Sequence, residues 1–353
     1  MSLALSPIEN SPALANLGLT SPTILAPMQG VGAAGVRDLL SSVGRPGMIC
    51  APFLRITSHR PSVPWLIGQL HRTANLPLSA QLLGSHPEHL ALAAKVLADA
   101  GADVVDLNLG CPTRQAAKKG VGAALLSKLD MISRIVATMR AACRCQLSVK
   151  IRIVDDDSDH LIRIGKAIEA GGADFLVVHP RTRHQSYRGV ADWSAVRLLK
   201  RHLGIPVVGN GDLWYAADAL RLMRSSGADA VMMGRPVLRN PFLFRQFEEL
   251  RNGGIPYVPT GNDIVEHVGL LAGQAKAELK RRPSGPEGVV KEHIQFVLRA
   301  VQEPLRSVLR QKTQRADGLE AVLQAIEPLR DVTVLDMAAD GPMRFERTPT
   351  DPS

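Results

Sequence analysis

Residues 101–110 read GADVVDLNLG, residues 172–179 read GADFLVVH, and residues 227–234 read GADAVMMG. Each Gly-Ala-Asp step follows a helix-patterned segment and leads into an apolar run. Glycine closes a helix well because it enters the left-handed backbone region at no steric cost. A largely apolar run suits a parallel strand covered on both faces. Helix, glycine turn, buried strand, repeated, is the βα unit of a parallel sheet.

Reading outward from these copies, eight strands are expected to start near Thr23, Met48, Leu78, Val104, Gln146, Phe175, Pro206 and Ala230. Helices such as His86–Ala100, Asp130–Ala142, His160–Ala170 and Trp214–Ser225 lie between them. Eight units over residues 23–250 predict an α/β fold, a closed (β/α)8 TIM barrel of about 250 residues. A doubly wound sheet is the alternative that spacing alone leaves open. Gly253, Gly254, Pro256 and Pro259 then break the chain. A smaller all-α helical domain is expected over 251–335, an N-terminal extension over 1–22, and a Pro-rich, polar, disordered tail over 336–353.

The 353 residues carry 42 Lys and Arg against 33 Asp and Glu, a formal charge of +9. Such an excess points to a polyanionic partner. Part of it is concentrated in Gly273–Arg315, with ten Lys or Arg against four Glu. Aromatic residues make up only 4%, which argues against RNA binding built mainly on base-stacking platforms. The four cysteines form no C-x-x-C pair, so neither a metal site nor a disulfide framework is expected. The start of the chain lacks the basic region of a signal peptide, and no apolar run is long enough to cross a bilayer. A cytoplasmic monomer without membrane attachment is the expectation.

Chemistry in such barrels sits at the carboxyl ends of the strands. There lie Pro27, Met28 and Gln29 after the first strand, Gln81 on the third and Lys150 on the fifth. A lysine on a buried strand is costly unless something anionic meets it. Gly209-Asn210-Gly211-Asp212 and Gly234-Arg235 end the seventh and eighth strands, the usual phosphate site of this fold. Flavin mononucleotide (FMN) suits this set; phosphate binding without flavin is the plainer reading. Cys111 falls in a Gly-Pro turn past the fourth strand, where a reacting side chain would project.

The segment DLNLGCPTRQAAKKGVGAALL at 106–126 resembles the signature of the tRNA-dihydrouridine synthase family. APMQGV, SVKIR, VVHPRTRHQSYRG, GNGD and MGR are similar to that family's other motifs, in the same order. QSYRG and the following DW look most like the bacterial C type. The resemblance implies FMN-dependent reduction of the uridine C5–C6 bond in tRNA, with NADPH as electron source and U16 as target. It implies Cys111 as the acid that protonates C5, since a thiol is mostly protonated near neutral pH. Flavin contacts carry over to Pro27, Met28, Gln29, Gln81, Lys150, His179, Asn210, Gly211, Asp212, Gly234 and Arg235. Asn108, Arg181, Arg183, Tyr187 and Arg188 would meet the RNA at the mouth, and Arg306, Arg310 and Lys312 in the tail, with Lys118, Lys119, Lys280, Arg281, Arg282 and Arg315 as further cations. This chain departs from the pattern at Gln29, at Thr113-Arg114 after the Cys-Pro pair, and at Pro180. Two rivals remain at this level: an FMN barrel acting on a small metabolite, like a dihydroorotate dehydrogenase, and an RNA-binding protein without catalysis.

Overall fold

The computed structural model describes residues 19–73, 76–154, 157–278, 285–333 and 335–339. Eight parallel strands form the barrel: β1 (Thr23–Leu25), β2 (Met48–Cys50), β3 (Leu78–Leu83), β4 (Val104–Leu109), β5 (Gln146–Arg152), β6 (Phe175–His179), β7 (Val207–Asn210) and β8 (Ala230–Met233). Each pairs with the next in sequence, and β1 pairs β8 in the register Ile24↔Met232. The sheet therefore closes and has no free edge. A two-residue strand, Leu54–Arg55, adds to the end of β3. The doubly wound alternative is excluded. The seventh strand begins at Val207, one residue after the expected Pro206, because proline has no N–H for the ladder.

The period-two alternation of strands divides the side chains into two cores. Outward residues such as Val105, Leu107, Val149, Leu176 and Val207 pack under the helices. Inward residues Ile24, Met48, Cys50, Val104, Phe175, Val177, Val208, Ala230 and Met232 fill the lower barrel. Higher up the same inward rows turn polar: Gln81, Asp106, Asn108, Ser148, Lys150, His179 and Asn210. The upper barrel is thus a polar floor laid on an apolar plug.

The Gly-Ala-Asp repeat has a structural reason. Gly101, Gly172 and Gly227 have φ of 101°, 89° and 74°, a region that disfavours any Cβ. Each aspartate then reaches sideways to the strand before it. Asp103 accepts the Leu78 N–H at 2.8 Å, Asp174 that of Leu147 at 2.6 Å and Asp229 that of Val207 at 2.8 Å. Each also meets a cation, respectively Arg72, Arg140 and Lys200. The repeat staples neighbouring strands at the closed end of the barrel.

After the helix Leu243–Arg251 the chain crosses to four helices, Gly261–Glu278, Gly285–Val297, Leu305–Arg315 and Leu319–Ile326. Their apolar faces join the outer barrel core without a break, through Ile264, Val268, Leu271, Val290, Ile294 and Leu309. His267 and His293 are buried between the first two of these helices, with Nε2 atoms 3.0 Å apart. No described helix is long and apolar enough to cross a membrane. Disorder was expected from residue 336, but 336–339 are fixed on the barrel. Asp336 accepts from Tyr215 Oη at 2.7 Å, Met337 O from Gln246 Nε2 at 2.7 Å, and Ala339 O from the Ala217 N–H at 2.9 Å. Those groups are buried or stand at a helix start and need acceptors, which polar composition does not reveal. Residues 340–353 lie outside the described residues, as do Lys280, Arg281 and Arg282.

Candidate active site

A cavity of about 540 Å³ opens at the carboxyl ends of the strands. It is lined by Pro27, Met28, Gln29, Gln81, Lys150, His179, Asn210, Gly211, Asp212, Gly234 and Arg235, together with Cys111, Asn108, Arg181 and Tyr187. Residues distributed over more than 200 positions of sequence are thus gathered on one concave surface. Arg183 and Arg188 are exposed on the loop after β6 and do not line it. Arg306, Arg310 and Lys312 lie on the helix Leu305–Arg315, away from the cavity.

The floor is a chain of side-chain hydrogen bonds. Asp106 Oδ1 accepts from Ser148 Oγ at 2.5 Å, and Oδ2 from Gln81 Nε2 at 2.7 Å. Gln81 Oε1 accepts from Asn108 Nδ2 at 2.8 Å. Asn108 Oδ1 accepts the N–H of Gly110 at 3.0 Å and of Cys111 at 2.9 Å. Asn108, expected to hold substrate, therefore has its carbonyl committed to the cysteine turn. Burial pushes the Asp106 carboxyl up to about 6.

The opposite wall centres on Asn210. Its Nδ2 donates to Met232 O at 2.7 Å, so Oδ1 accepts from Lys150 Nζ at 3.2 Å and from His179 Nδ1 at 2.8 Å. Burial, with Arg152 adding to it, brings the Lys150 ammonium down to about 8. Burial also lowers His179 well below the usual histidine range, so its ring is neutral. With Nδ1 carrying the hydrogen, Nε2 is a lone-pair acceptor. That atom is buried and has no partner among the described residues.

Cys111 is partly exposed, with Sγ 3.5 Å from Thr113 Oγ1. Thr113 caps the short helix Arg114–Lys118. Gly122, at φ +65°, lies so close that a Cβ there would sit 2.8 Å from Cys111 Cβ. The cysteine backbone is thus packed against Gly122, while the thiol meets Thr113 and lines the cavity.

Two residues expected to make direct contacts are engaged within the protein. Arg181 is 1% exposed. Its Nη2 donates to both Asp212 oxygens at 2.6 Å and to Gly189 O at 2.7 Å, so this end of the guanidinium braces a loop. Asp212 also accepts the Ala191 N–H at 2.7 Å, which leaves its carboxylate little to offer a cofactor. An arginine in a basic loop reads as solvated, and only the fold reveals its partner. Trp193 locks the same loop by donating Nε1 to Gly211 O at 3.1 Å, over Gly209, where a Cβ would overlap the indole at 2.2 Å.

Sequence reading missed Arg55, Phe53, Arg152 and Gln115, all of which line the cavity. Arg152 was accessible, being two residues beyond Lys150 and so on the same inward row. It donates to Gly110 O at 2.9 Å and Ser186 O at 2.7 Å. Arg55 stands on the two-residue strand outside every motif, and gave no signal. Tyr187 sits over the mouth, with the Arg235 guanidinium 4.1 Å from its ring centre and Arg152 at 5.4 Å.

Residues 24–331 match the family model described as dihydrouridine synthase (Dus). The chain is 31% identical over 321 residues to a Rhodobacter capsulatus protein named "Probable tRNA-dihydrouridine synthase", covering 88% of this chain and 97% of the relative. A Mycobacterium tuberculosis protein of the same name is 32% identical over 343 residues, covering 91% of this chain and 86% of the relative. A Ralstonia nicotianae protein named "tRNA-dihydrouridine(16) synthase" is 37% identical over 232 residues, covering 63% of this chain and 71% of the relative.

Proposed function

The chain belongs to the dihydrouridine synthase family, a family of oxidoreductases, and we propose that it reduces a uridine of the tRNA D-loop, at position 16, with FMN as cofactor and NADPH as reductant. The observation that carries this is the pairing of an exposed thiol with a polar wall across one cavity. Three buried side-chain atoms on that cavity have no partner among the described residues: Arg55 Nη1, His179 Nε2 and Arg181 Nη1. Unpaired buried polar atoms cost about 1–3 kcal/mol each, so a cavity carrying donors and an acceptor together fits a polar ligand. Gly211, at φ +124°, and Gly234 with Arg235 at the start of a short helix would take the phosphate. Position 16 follows the name of the Ralstonia relative.

A flavin bound there would supply, once reduced by NADPH, the hydride that uracil C6 accepts. Lys150 would offset negative charge on the ring system, its ammonium already oriented by Asn210. Addition at C6 leaves C5 carbanion-like, because the double bond is conjugated to the C4 carbonyl. The Cys111 thiol gives its proton to C5, forming the C–H bond, and the thiolate regains a proton from solvent. The uridine must leave its stack to reach the cavity, at a cost of a few kcal/mol. Contacts of Arg183, Arg188, Arg306, Arg310 and Lys312 with the phosphate backbone would offset that cost. The helical domain over 251–335 is then the part that orients the tRNA.

The test is direct: purified protein, unmodified tRNA transcript and NADPH, with dihydrouridine mapped by mass spectrometry. Yellow protein and product at position 16 are expected. Colourless protein without product would sink the proposal.

A further inference from the structure

We infer that Asp106 is a positioning residue: it fixes the direction of the amide chain through Gln81 and Asn108 and so holds the Cys111 turn in its reactive place. This deepens the functional reading above and rests on it for the reaction, though not for the geometry. An ionised carboxylate only accepts hydrogen bonds. Gln81 must therefore turn its NH2 toward Asp106 Oδ2, 2.7 Å away. Its carbonyl is then left facing Asn108, which must answer with its own NH2, at 2.8 Å. Only in that orientation does Asn108 present a carbonyl to the Gly110 and Cys111 N–H groups.

Neither amide has a polarity of its own, since a rotation of 180° exchanges its donor and acceptor ends. Reversed, Asn108 would set an NH2 against two N–H donors, and the turn would lose its anchor. Asp106 is the acceptor-only end of the chain, and Ser148 Oγ at 2.5 Å holds its other oxygen. It lies on an inward row of β4, in register with Gln81 on β3 and Ser148 on β5. Asp106 does not line the cavity; it acts through its neighbours.

The test exploits polarity. Asp106→Leu removes the acceptor-only end and leaves both amides free to reverse. Adding Gln81→Glu restores the direction: the carboxylate introduced at position 81 can only accept from Asn108, whose carbonyl again faces the Gly110 and Cys111 N–H groups. Alkylation of Cys111 by iodoacetamide is followed by peptide mass spectrometry, and tRNA reduction is followed at saturating NADPH. In Asp106→Leu the loosened turn should alkylate roughly tenfold faster, the effect of one missing hydrogen-bond anchor. Reduction of tRNA should fall about a hundredfold through misplacement of the acid. The double variant should recover the wild-type alkylation rate and part of the turnover. If Asp106→Leu does not fold, Asp106→Ala should show the same faster alkylation. Wild-type alkylation in Asp106→Leu or in Asp106→Ala, or no recovery in the double variant, overturns the relay. Wild-type protein that reduces no tRNA would instead overturn the functional proposal, while the alkylation arm still reports on the relay.

Discussion

The barrel mouth and the helical domain use polar groups in opposite ways. At the mouth nearly every polar side chain is held by another: Asp106 by Ser148 and Gln81, Asn210 by Lys150 and His179, Arg181 by Asp212. On the helix Leu305–Arg315 the cations Arg310, Lys312 and Arg315 are exposed to solvent, and Arg306 pairs with Glu303 three residues earlier. Chemistry requires atoms placed to a fraction of an ångström. Attraction of a polyanion requires charge, and tolerates mobility. One chain supplies both by keeping its fixed polar groups inside the barrel and its unfixed ones outside.

The sharpest way to break this division is Cys111→Ala. Removing a positioned acid should cost about 10²- to 10⁴-fold in dihydrouridine formation, with cofactor content unchanged, read by product mapping and flavin absorbance. Next comes Arg181→Met, which leaves the mostly buried Asp212 carboxylate without its cation and should cost about 3 kcal/mol, read by chemical denaturation. Its neighbour Arg183→Met, exposed on the same loop, should leave stability within about 0.5 kcal/mol. Equal effects of the two would erase the distinction between fixed and unfixed arginines. In the tail, Arg310→Glu with Lys312→Glu should weaken tRNA binding and flatten its salt dependence by about 0.9 in log–log slope for each phosphate no longer neutralised. Stability in the absence of RNA should be unaffected.

A last effect concerns acid. His267 and His293 are buried against each other, and burial brings His293 down to about 4 and His267 well below its usual range. The unfolded chain then takes up protons first as pH falls through about 6.5. Stability is complete above that value and declines toward pH 4, by up to about 1.4 kcal/mol per pH unit for each ring. Protection of the helix Gly261–Glu278 in hydrogen exchange should fall over this window before that of the barrel strands. Equal loss in both regions would show that the pair is not the sensitive element.

How much was legible follows from the same contrast. Strand starts at Thr23, Met48, Leu78, Val104, Gln146, Phe175 and Ala230 coincide with the structure, since apolar runs and glycine turns are local signals. Cys111, Lys150 and Arg235 could be placed at the mouth because strand ends define it. What escaped depends on partners distant in sequence. Arg181 was read as an RNA contact, and its pairing with Asp212, 31 residues later, could not be seen from the loop alone. Residues 336–339 looked disordered because their partners Tyr215, Gln246 and Ala217 belong to the barrel. Asn108 could be read as a site residue, but not as an amide whose direction is set by an aspartate below it.

That return of the chain at 336–339 has a mechanical consequence. The helical domain leaves the barrel after Arg251 and is fastened to it again at Asp336, Met337 and Ala339, so it has two roots. An appendage on a single stalk can swivel; one anchored at both ends behaves as a bracket. A nucleic acid resting on this bracket would meet the mouth of the barrel at one angle, set by the fold and not by diffusion.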